Sequence, residues 1–333
     1  MKLHITAIPQ GTRTFLFEEA EQKRRIEQEI HSCLKSRGFQ EIVTPLLEYY
    51  DSAVVGMGDD GGRIMRFAEE DSGMAIALRP DITSQVARSA ATHLNKMPLP
   101  LRLCYNGPVF RRARKGKGEQ YVLNQAGMEI IGDGETSADA EIVASVMAVI
   151  SAVGLKSYSF SIGHAGILGS LLKGMEPSAL EKIKSAVSKK DKSAIAEELK
   201  KSGAPKNISE KITGLAGLFG DLSVLGEAEK ICAGHAGAEA GIKNLKGFLE
   251  KVKPAGLPEK LVLDFGEIRG WGYYTGVIME LFFGSMLALG AGGRYDSLVA
   301  RFGRDVPAVG FAFDVDMIIS AVMRENSGVG FTK

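Results

Sequence analysis

The feature that most constrains the fold is the stretch of residues 102–132, which reads RLCYNGPVFRRARKGKGEQYVLNQAGMEIIG. Two β-prone runs, residues 102–110 and 121–131, flank a connector at residues 111–118 that contains five basic residues and two glycines. Connectors rich in Lys and Gly between apolar, β-prone runs are typical of a hairpin with a long tip. The stretch therefore predicts two long strands that pair with each other.

Three residues of the second run are expected to share one face, because side chains alternate along a strand. They are Gln125, Gly127 and Glu129, which present an amide, no side chain and a carboxylate. The glycine would leave a floor on which a small ligand can lie close to the backbone. A solvent-exposed polar face is the alternative, and strand chemistry alone favours it by about two to one.

The whole stretch resembles motif 2 of the class II aminoacyl-tRNA synthetases, in its histidyl version. The matching residues are Tyr105, Gly107, Pro108, Phe110, Arg111, Gln125, Gly127, Glu129 and Gly132. Residues 39–48, which contain Pro45, resemble motif 1, and residues 307–317 resemble the beginning of motif 3. The ordered combination of motifs is highly specific, and the resemblance covers roughly residues 9–132 and 259–320.

Residues 79–88, RPDITSQVAR, resemble the amino-acid-binding loop of the histidyl family. Histidyl-tRNA synthetases usually carry Glu at the position of Asp81, and the Asp form resembles the relatives that regulate histidine biosynthesis. Helix capping is the alternative role of Asp81 and Thr83, because their oxygens can accept hydrogen bonds from unpaired backbone N–H groups.

Residues 269–276 resemble the histidine-specific signature of the same family, although Gly272 stands where the family has Asp. The residue pattern predicts a strand over residues 270–280, with Tyr274 and Gly272 on one face and Tyr273 on the other. Core or edge positions are the alternative for both tyrosines. Residues 291–296, which match the next landmark of the family, are expected to form a turn-rich segment.

The resemblance implies a pocket for free L-histidine. Its residues would be Asp81, Thr83, Arg111, Gln125, Glu129, Arg269, Tyr273 and Tyr274. In this assignment Asp81, Thr83 and Gln125 bind the ammonium group of the ligand. Glu129 and Tyr274 bind the two imidazole nitrogens, and Arg269 and Arg111 compensate the carboxylate. A buried carboxylate that faces a ring N–H is paired, so the chemistry of this arrangement is sound.

Composition adds limits to what the protein can be. The net charge is +1 over 333 residues, so there is no overall bias toward nucleic acid or membrane. The three cysteines and five histidines form no metal-type spacing, and neither a metal nor a cofactor is expected. With no signal-peptide pattern and no bilayer-length apolar run, the sequence predicts a cytoplasmic protein.

The motifs also divide the chain. Residues 1–172 and 255–333 are predicted to form a class II synthetase-like core of the α+β class, an antiparallel sheet flanked by helices. Residues 173–254 have helical spacing with repeated glycine breaks, and they predict an insertion of four or five helices. The sequence stops soon after motif 3, where histidyl-tRNA synthetases continue. Neither an anticodon-binding domain nor tRNA as a partner is therefore expected.

Some residues of this chain differ from the family pattern at positions that serve ATP binding in the family. Class II aminoacyl transfer needs a bent ATP held by arginines, because the phosphoryl charge must be neutralised during attack. In this chain the motif 3 arginine position is Met317, a motif 2 glutamate position is Ala113, and a loop arginine position is Glu119. A histidine pocket without these groups predicts a sensor that does not adenylate its ligand.

The best resemblance is to the regulatory subunits of ATP phosphoribosyltransferase, which are histidyl-synthetase-like partners of a short catalytic subunit. It implies a non-catalytic chain that activates the short-form catalytic subunit and senses histidine in the first step of L-histidine biosynthesis. It also implies a homodimer within a hetero-octamer.

Two other hypotheses remain open at this stage. A divergent histidyl-tRNA synthetase, or another histidine-adenylating enzyme, would catalyse histidine-dependent pyrophosphate exchange. An RNA-binding module would use the basic residues 111–117 and would bind RNA with a steep dependence on salt.

Overall fold

A computed structural model describes residues 5–113, 120–256, 258, 260–268, 270, 272–284 and 287–327. The fold is of the α+β class. Its helices are α1 Phe17–Ser36, α2 Tyr50–Met57, α3 Thr83–Ala91, α4 Thr136–Ala152, α5 Ala165–Leu171, α6 Pro177–Ser188, α7 Lys192–Lys201, α8 Lys206–Ala216, α9 Leu225–Cys232, α10 Ala236–Val252 and α11 Val315–Asn326. Its strands are β1 Gln40–Glu41, β2 Leu47–Tyr49, β3 Arg66–Ala68, β4 Ala75–Leu78, β5 Leu101–Phe110, β6 Val122–Ile131, β7 Tyr158–His164, β8 Phe219–Gly220, β9 Leu261–Asp264, β10 Val277–Phe283, β11 Leu287–Arg294 and β12 Ala308–Asp314.

The main sheet has nine strands in the order β1-β5-β6-β12-β11-β10-β7-β9-β8. The predicted hairpin is confirmed as β5 and β6, which pair antiparallel from Leu101 opposite Ile131 to Phe110 opposite Val122. The prediction of an antiparallel sheet holds for the central strands, but β1 pairs with β5, and β7 with β9, in parallel. The sheet is therefore mixed at its two sides.

A separate sheet, in the order β2-β4-β3, forms from the motif 1 region and the strand that precedes α3. Within residues 39–48, only β1 and the first residues of β2 are strand. Pro45 lies in the gap between them, where its missing N–H leaves no ladder bond unmade.

The largest hydrophobic core lies on one face of the main sheet, where α1, α4 and α11 pack. Met128 and Ile130 of β6 face this core, so Gln125, Gly127 and Glu129 face the other way. Residues 173–254 contain five helices, α6–α10, as predicted, and their apolar residues join the same core. Among the described helices, none is both long and apolar enough to cross a membrane.

Two local predictions are wrong. Residues 270 and 272–276 form a turn instead of a strand, in which the N–H groups of Tyr273 and Tyr274 both donate to the Gly270 carbonyl. Gly270 and Gly272 have φ values of 63° and 78°, in the left-handed region that glycine reaches most easily and that an L-residue strand avoids. Residues 291–294, expected as turn, belong to β11, because glycine there lets β11 lie against β12.

A buried ion pair fixes the end of β11. The Arg294 guanidinium donates to the Asp139 carboxylate of α4 over 2.9 Å, and both side chains are almost fully buried. The same guanidinium also donates to the backbone carbonyls of Asp133 and Glu135. This anchor sets the position of the next residue, Tyr295, which enters the candidate site.

We expect Arg294→Met to lower the free energy of unfolding by about 3–5 kcal/mol, because it leaves the Asp139 carboxylate buried without its partner. Urea denaturation measures this change. The matched control is Arg25→Met, which removes a largely exposed pair with Glu29 and should cost less than about 1 kcal/mol. Equal effects of the two substitutions would contradict the role given to Arg294.

Candidate functional site

A cavity of about 970 Å³ opens on the sheet face opposite the main core. Strands β6, β11 and β12 form its floor, and small residues such as Ala291, Gly310 and Ala312 keep that floor low. The loop before β10 forms one wall, and α6 forms the far wall. The structure places seven of the eight predicted site residues on this cavity: Asp81, Thr83, Arg111, Gln125, Glu129, Tyr273 and Tyr274. The eighth, Arg269, lies outside the described residues.

The Glu129 carboxylate lies at the closed end of the cavity and is 1% exposed. The Tyr105 hydroxyl donates to its Oε1 over 3.1 Å, and the Tyr295 hydroxyl donates to its Oε2. A Cβ added to Gly310, the residue paired with Glu129 across the sheet, would lie 1.5 Å from Oε2. Gly310 therefore provides the space in which this carboxylate sits.

The glycine at position 127 has a different role from the one predicted. A Cβ there would lie 2.4 Å from the Tyr105 hydroxyl oxygen, so this part of the floor is covered by Tyr105 and is not open to a ligand. The Tyr105 hydroxyl also lies 3.1 Å from Oγ1 of Thr83. Gly127 thus allows a strand tyrosine to lie flat and reach both Thr83 and Glu129.

Burial raises the pKa of Glu129 to about 8, although hydrogen bonds from Tyr295, Thr83 and Tyr105 act to lower it. The nearby Asp81 carboxylate raises it further. The folded chain therefore holds this proton to higher pH than the unfolded chain, in which a glutamate titrates near 4.5. The contribution of Glu129 to the free energy of unfolding therefore falls as the pH rises between these two values.

Asp81, Gln125 and Arg111 form a second polar group in the lining of the cavity. Oδ1 of Asp81 lies 3.4 Å from Nε2 of Gln125 and 3.7 Å from Nη2 of Arg111. Oδ2 of Asp81 accepts the Ser84 N–H near the start of α3, so the capping alternative is also realised. Arg111 is held by its Nε, which donates to the Pro80 carbonyl over 2.7 Å.

The tyrosines of the turn complete this end of the cavity. Tyr273 stacks on Tyr295 with ring centroids 5.4 Å apart, and Tyr274 meets Tyr273 edge to face at 5.0 Å. Both turn tyrosines also pack against the second hydrophobic core, so the alternative of core aromatics is partly realised. With Glu129, these three tyrosines line one end of the cavity, which we call the aromatic slot. Its aromatic surface suits a planar ring that carries an N–H group.

The rest of the cavity is rich in acids. Its described carboxyl residues are Asp81, Glu129, Glu181, Asp264, Glu267 and Asp314, and its described cations are Arg111, Lys184 and Lys190. Each of these cations lies beside a carboxylate. Asp314 occupies the end of β12, and burial raises its pKa to about 6. This lining disfavours a polyanion such as a nucleoside triphosphate.

The residue at the position of the motif 3 arginine, Met317, also brings no positive charge to the cavity. Met317 is not part of the described cavity lining and packs against the main core. Its backbone N–H donates to Oδ1 of Asp314, which caps α11. Ala113 brings no charge, and Glu119 lies outside the described residues.

In the described part of the chain, no group of three or more His, Cys, Asp or Glu is placed to hold a metal ion. His164 is buried, caps α5 and lies 3.1 Å from Oδ1 of Asn244 through its Nε2. Burial lowers its pKa to about 4, so it is neutral at physiological pH. His164 therefore has a structural role at the end of β7.

Comparison with known proteins gives the family. The family model described as histidyl-tRNA synthetase matches residues 11–318. The chain is 36% identical over 319 residues to the ATP phosphoribosyltransferase regulatory subunit of Geobacter sulfurreducens, covering 95% of this chain and 73% of that one. The chain belongs to the family of ATP phosphoribosyltransferase regulatory subunits. Another member of this family, from Anaeromyxobacter dehalogenans, is 35% identical over 324 residues, which are 96% of this chain and 92% of that one.

A solved structure supports the same conclusion. It comes from Bacillus halodurans and is described as an ATP phosphoribosyltransferase regulatory subunit/histidyl-tRNA synthetase. Its TM-score with this chain is 0.87 at 27% identity, over 97% of this chain and 84% of that one. The predicted synthetase-like fold is thus confirmed, and the names of the relatives agree with the prediction of a non-catalytic regulatory subunit.

Two tyrosines of this regulatory-subunit site have no role that was predicted from the sequence. Tyr105 appeared only as a motif match, and Tyr295 only within a segment expected to turn. The detectable signal was the pairing of Tyr105 with Gly127, because a glycine opposite a strand tyrosine leaves room for its ring. No local signal marked Tyr295, whose contact with Glu129 joins residues 166 positions apart.

We expect Tyr295→Phe to raise the pKa of Glu129 above its value of about 8, because it removes a hydrogen bond that stabilises the carboxylate. Carbon-13 NMR titration of protein labelled at the glutamate carboxyl carbon measures this pKa, with Glu129→Gln assigning the signal. The matched control is Tyr158→Phe, which removes a tyrosine hydroxyl outside the cavity and should leave the pKa unchanged. An unchanged or lower pKa in Tyr295→Phe would refute the contact.

Proposed function

We propose that this chain is the histidine-sensing, non-catalytic regulatory subunit of an ATP phosphoribosyltransferase, acting in the cytoplasm. The observation that carries the sensing role is the buried Glu129 carboxylate, held by two tyrosine hydroxyls at the end of an aromatic slot. A carboxylate in such a place needs a donor to offset its desolvation, and an imidazole N–H is a donor of the right shape.

The remaining groups fit the other parts of histidine. Asp81 and Gln125, 3.4 Å apart, would receive the ammonium group, and Arg111 would lie near the carboxylate. Thr83 is hydrogen-bonded to Tyr105. It therefore lies near the residues proposed for the imidazole ring as well as near those proposed for the ammonium group. The phenol of Tyr274 would meet the second ring nitrogen, as the family resemblance implies.

The adenylating alternative is less well supported. Attack on ATP requires cations around the phosphates, whereas the described cations of this cavity are each beside a carboxylate. The methionine at the motif 3 arginine position packs into the core. An acid-rich cavity that admits a zwitterion and repels a triphosphate supports a sensor over a ligase.

The relatives' name supports a catalytic partner, and an apolar surface supports a homodimer. The patch lies on the small sheet and the segment before it, and it consists of Val43, Leu46, Leu47, Tyr49 and Phe67, each about half exposed or more. Patches of this kind mark protein interfaces. We propose that two copies pair through it and that the dimers assemble with the short-form catalytic subunit into a hetero-octamer.

Calorimetry should detect histidine binding with a dissociation constant in the micromolar range. We expect Glu129→Gln to weaken it at least about 30-fold, because a hydrogen bond from an imidazole N–H to the ionised form of Glu129 contributes about 2 kcal/mol that a neutral amide does not supply. Glu141→Gln is the matched control, since Glu141 pairs with Arg102 away from the cavity, and it should change the affinity less than about twofold. If the unsubstituted chain, Glu129→Gln and Glu141→Gln bind histidine with equal affinity, Glu129 is not part of the binding site.

Addition of the chain to its cognate short-form catalytic subunit should raise the rate of phosphoribosyl-ATP formation, and histidine should lower that rate. Light scattering on the same mixture should report a complex larger than either component, while the chain alone should have twice the mass of one copy. A catalytic rate and a mass that do not change on mixing would reject the regulatory role.

A further inference from the structure

A seam joins residues 173–254 to the strand that leads into the tyrosine turn. We define the insertion seam as Lys190, the segment from Ala216 to Phe219, and the segment from Asp264 to Gly266. Phe219 of β8 pairs with Asp264 of β9, and the Phe265 N–H donates to the Leu218 carbonyl over 3.0 Å. The seam is therefore built from main-chain hydrogen bonds, which fix the relative position of its two segments.

The two backbones of the seam are in direct contact at Gly266. A Cβ added there would lie 2.4 Å from the carbonyl oxygen of Ala216, at the end of α8. Because the obstructing atom belongs to the main chain, no rotamer change could relieve the clash. Movement of residues 264–266 must therefore move the end of α8 as well.

Lys190 adds a side-chain fastening to the same place. Its Nζ donates to Oδ2 of Asp264 over 2.6 Å and lies 4.2 Å from the centroid of the Phe219 ring. Its backbone φ of 53° is left-handed, which is uncommon for a lysine and marks a sharp turn between α6 and α7. Oδ1 of Asp264 accepts the Gly266 N–H over 2.9 Å, so this carboxylate bridges both sides of the seam.

Both sides of the seam also line the ligand cavity. Helix α6 contributes Lys184, Ser185 and Ser188 to the far wall. On the other side, Gly266 and Ile268 line the cavity just before the turn that carries Tyr273 and Tyr274. A ligand in the cavity therefore lies between the tyrosine turn, on one side of the seam, and α6, on the other side.

We propose that the helices of residues 173–254 report whether the cavity is occupied, and that the insertion seam transmits this state from the tyrosine turn to α6, α7 and α8. The proposal rests on the histidine site proposed above. A ligand that stabilises the turn and the far wall also reduces local opening of the helices joined to them. By reciprocity, opening of these helices must weaken the binding of histidine by the same factor by which histidine disfavours their opening.

Hydrogen–deuterium exchange with mass spectrometry, on the full chain with and without saturating histidine, tests this proposal. We expect histidine to slow amide exchange in α6, α7 and α8 by at least about fivefold, the lower end of typical coupling between sites. Calorimetry on the same sample verifies that histidine is bound. Bound histidine with unchanged exchange in these helices would overturn the proposal and leave the histidine site intact.

Two substitutions in the seam test whether the coupling passes through it. Lys190→Met keeps the stem over Phe219 and removes the charge, and Gly266→Val forces the two backbones apart. Both should at least halve the slowing caused by histidine in α6–α8, while the slowing in β6 remains. Lys206→Met, the matched control on an almost fully exposed lysine of α8, should keep the full effect.

Each remaining outcome is decisive. Full slowing in both seam variants would place the route elsewhere and overturn the proposal. Lys190→Met still provides the test if Gly266→Val does not fold. If calorimetry detects no binding of histidine by the unsubstituted chain, the proposed function is wrong, and the seam proposal falls with it.

Discussion

The site depends on one constraint, the burial of a carboxylate against the face of a sheet. Desolvation of Glu129 is costly, and it is offset by two hydroxyl donors that come from distant parts of the chain. Tyr105 arrives on the neighbouring strand, while Tyr295 follows β11 and is held in place by the Arg294–Asp139 pair. A one-residue slip between β5 and β6 would turn one of these partners to the opposite face, so the strand register and the site specify each other.

The two ends of the cavity differ in their chemistry. The aromatic slot and its carboxylate form one end of the cavity, while Asp264, Glu267 and Asp314 make the remainder acidic. Met317 exchanges a cationic position for a contact with the hydrophobic core. The Met317 side chain fits the fold because it packs against that core and not against the described lining of the cavity. An acid-rich lining disfavours a polyanion, and the fold alone would not have revealed this.

The hairpin and the face of Gln125 and Glu129 could be predicted from the sequence, because alternation along a strand is a local property. The turn at residues 270–276 was mistaken for a strand, since its two tyrosines have high β propensity while its glycines adopt left-handed φ values. The contact of Tyr295 with Glu129 could not be read locally, because it depends on the order of strands in the sheet. The far wall from α6 was missed for the same reason, since helical spacing does not say where an insertion packs.

A crystal structure of the chain with bound L-histidine tests the central claim most directly. The account predicts an imidazole nitrogen within about 3 Å of a Glu129 carboxylate oxygen, with the ring in the slot beside Tyr273 and Tyr274. Histidine bound at another place, or a slot that stays empty at saturating histidine, would contradict it.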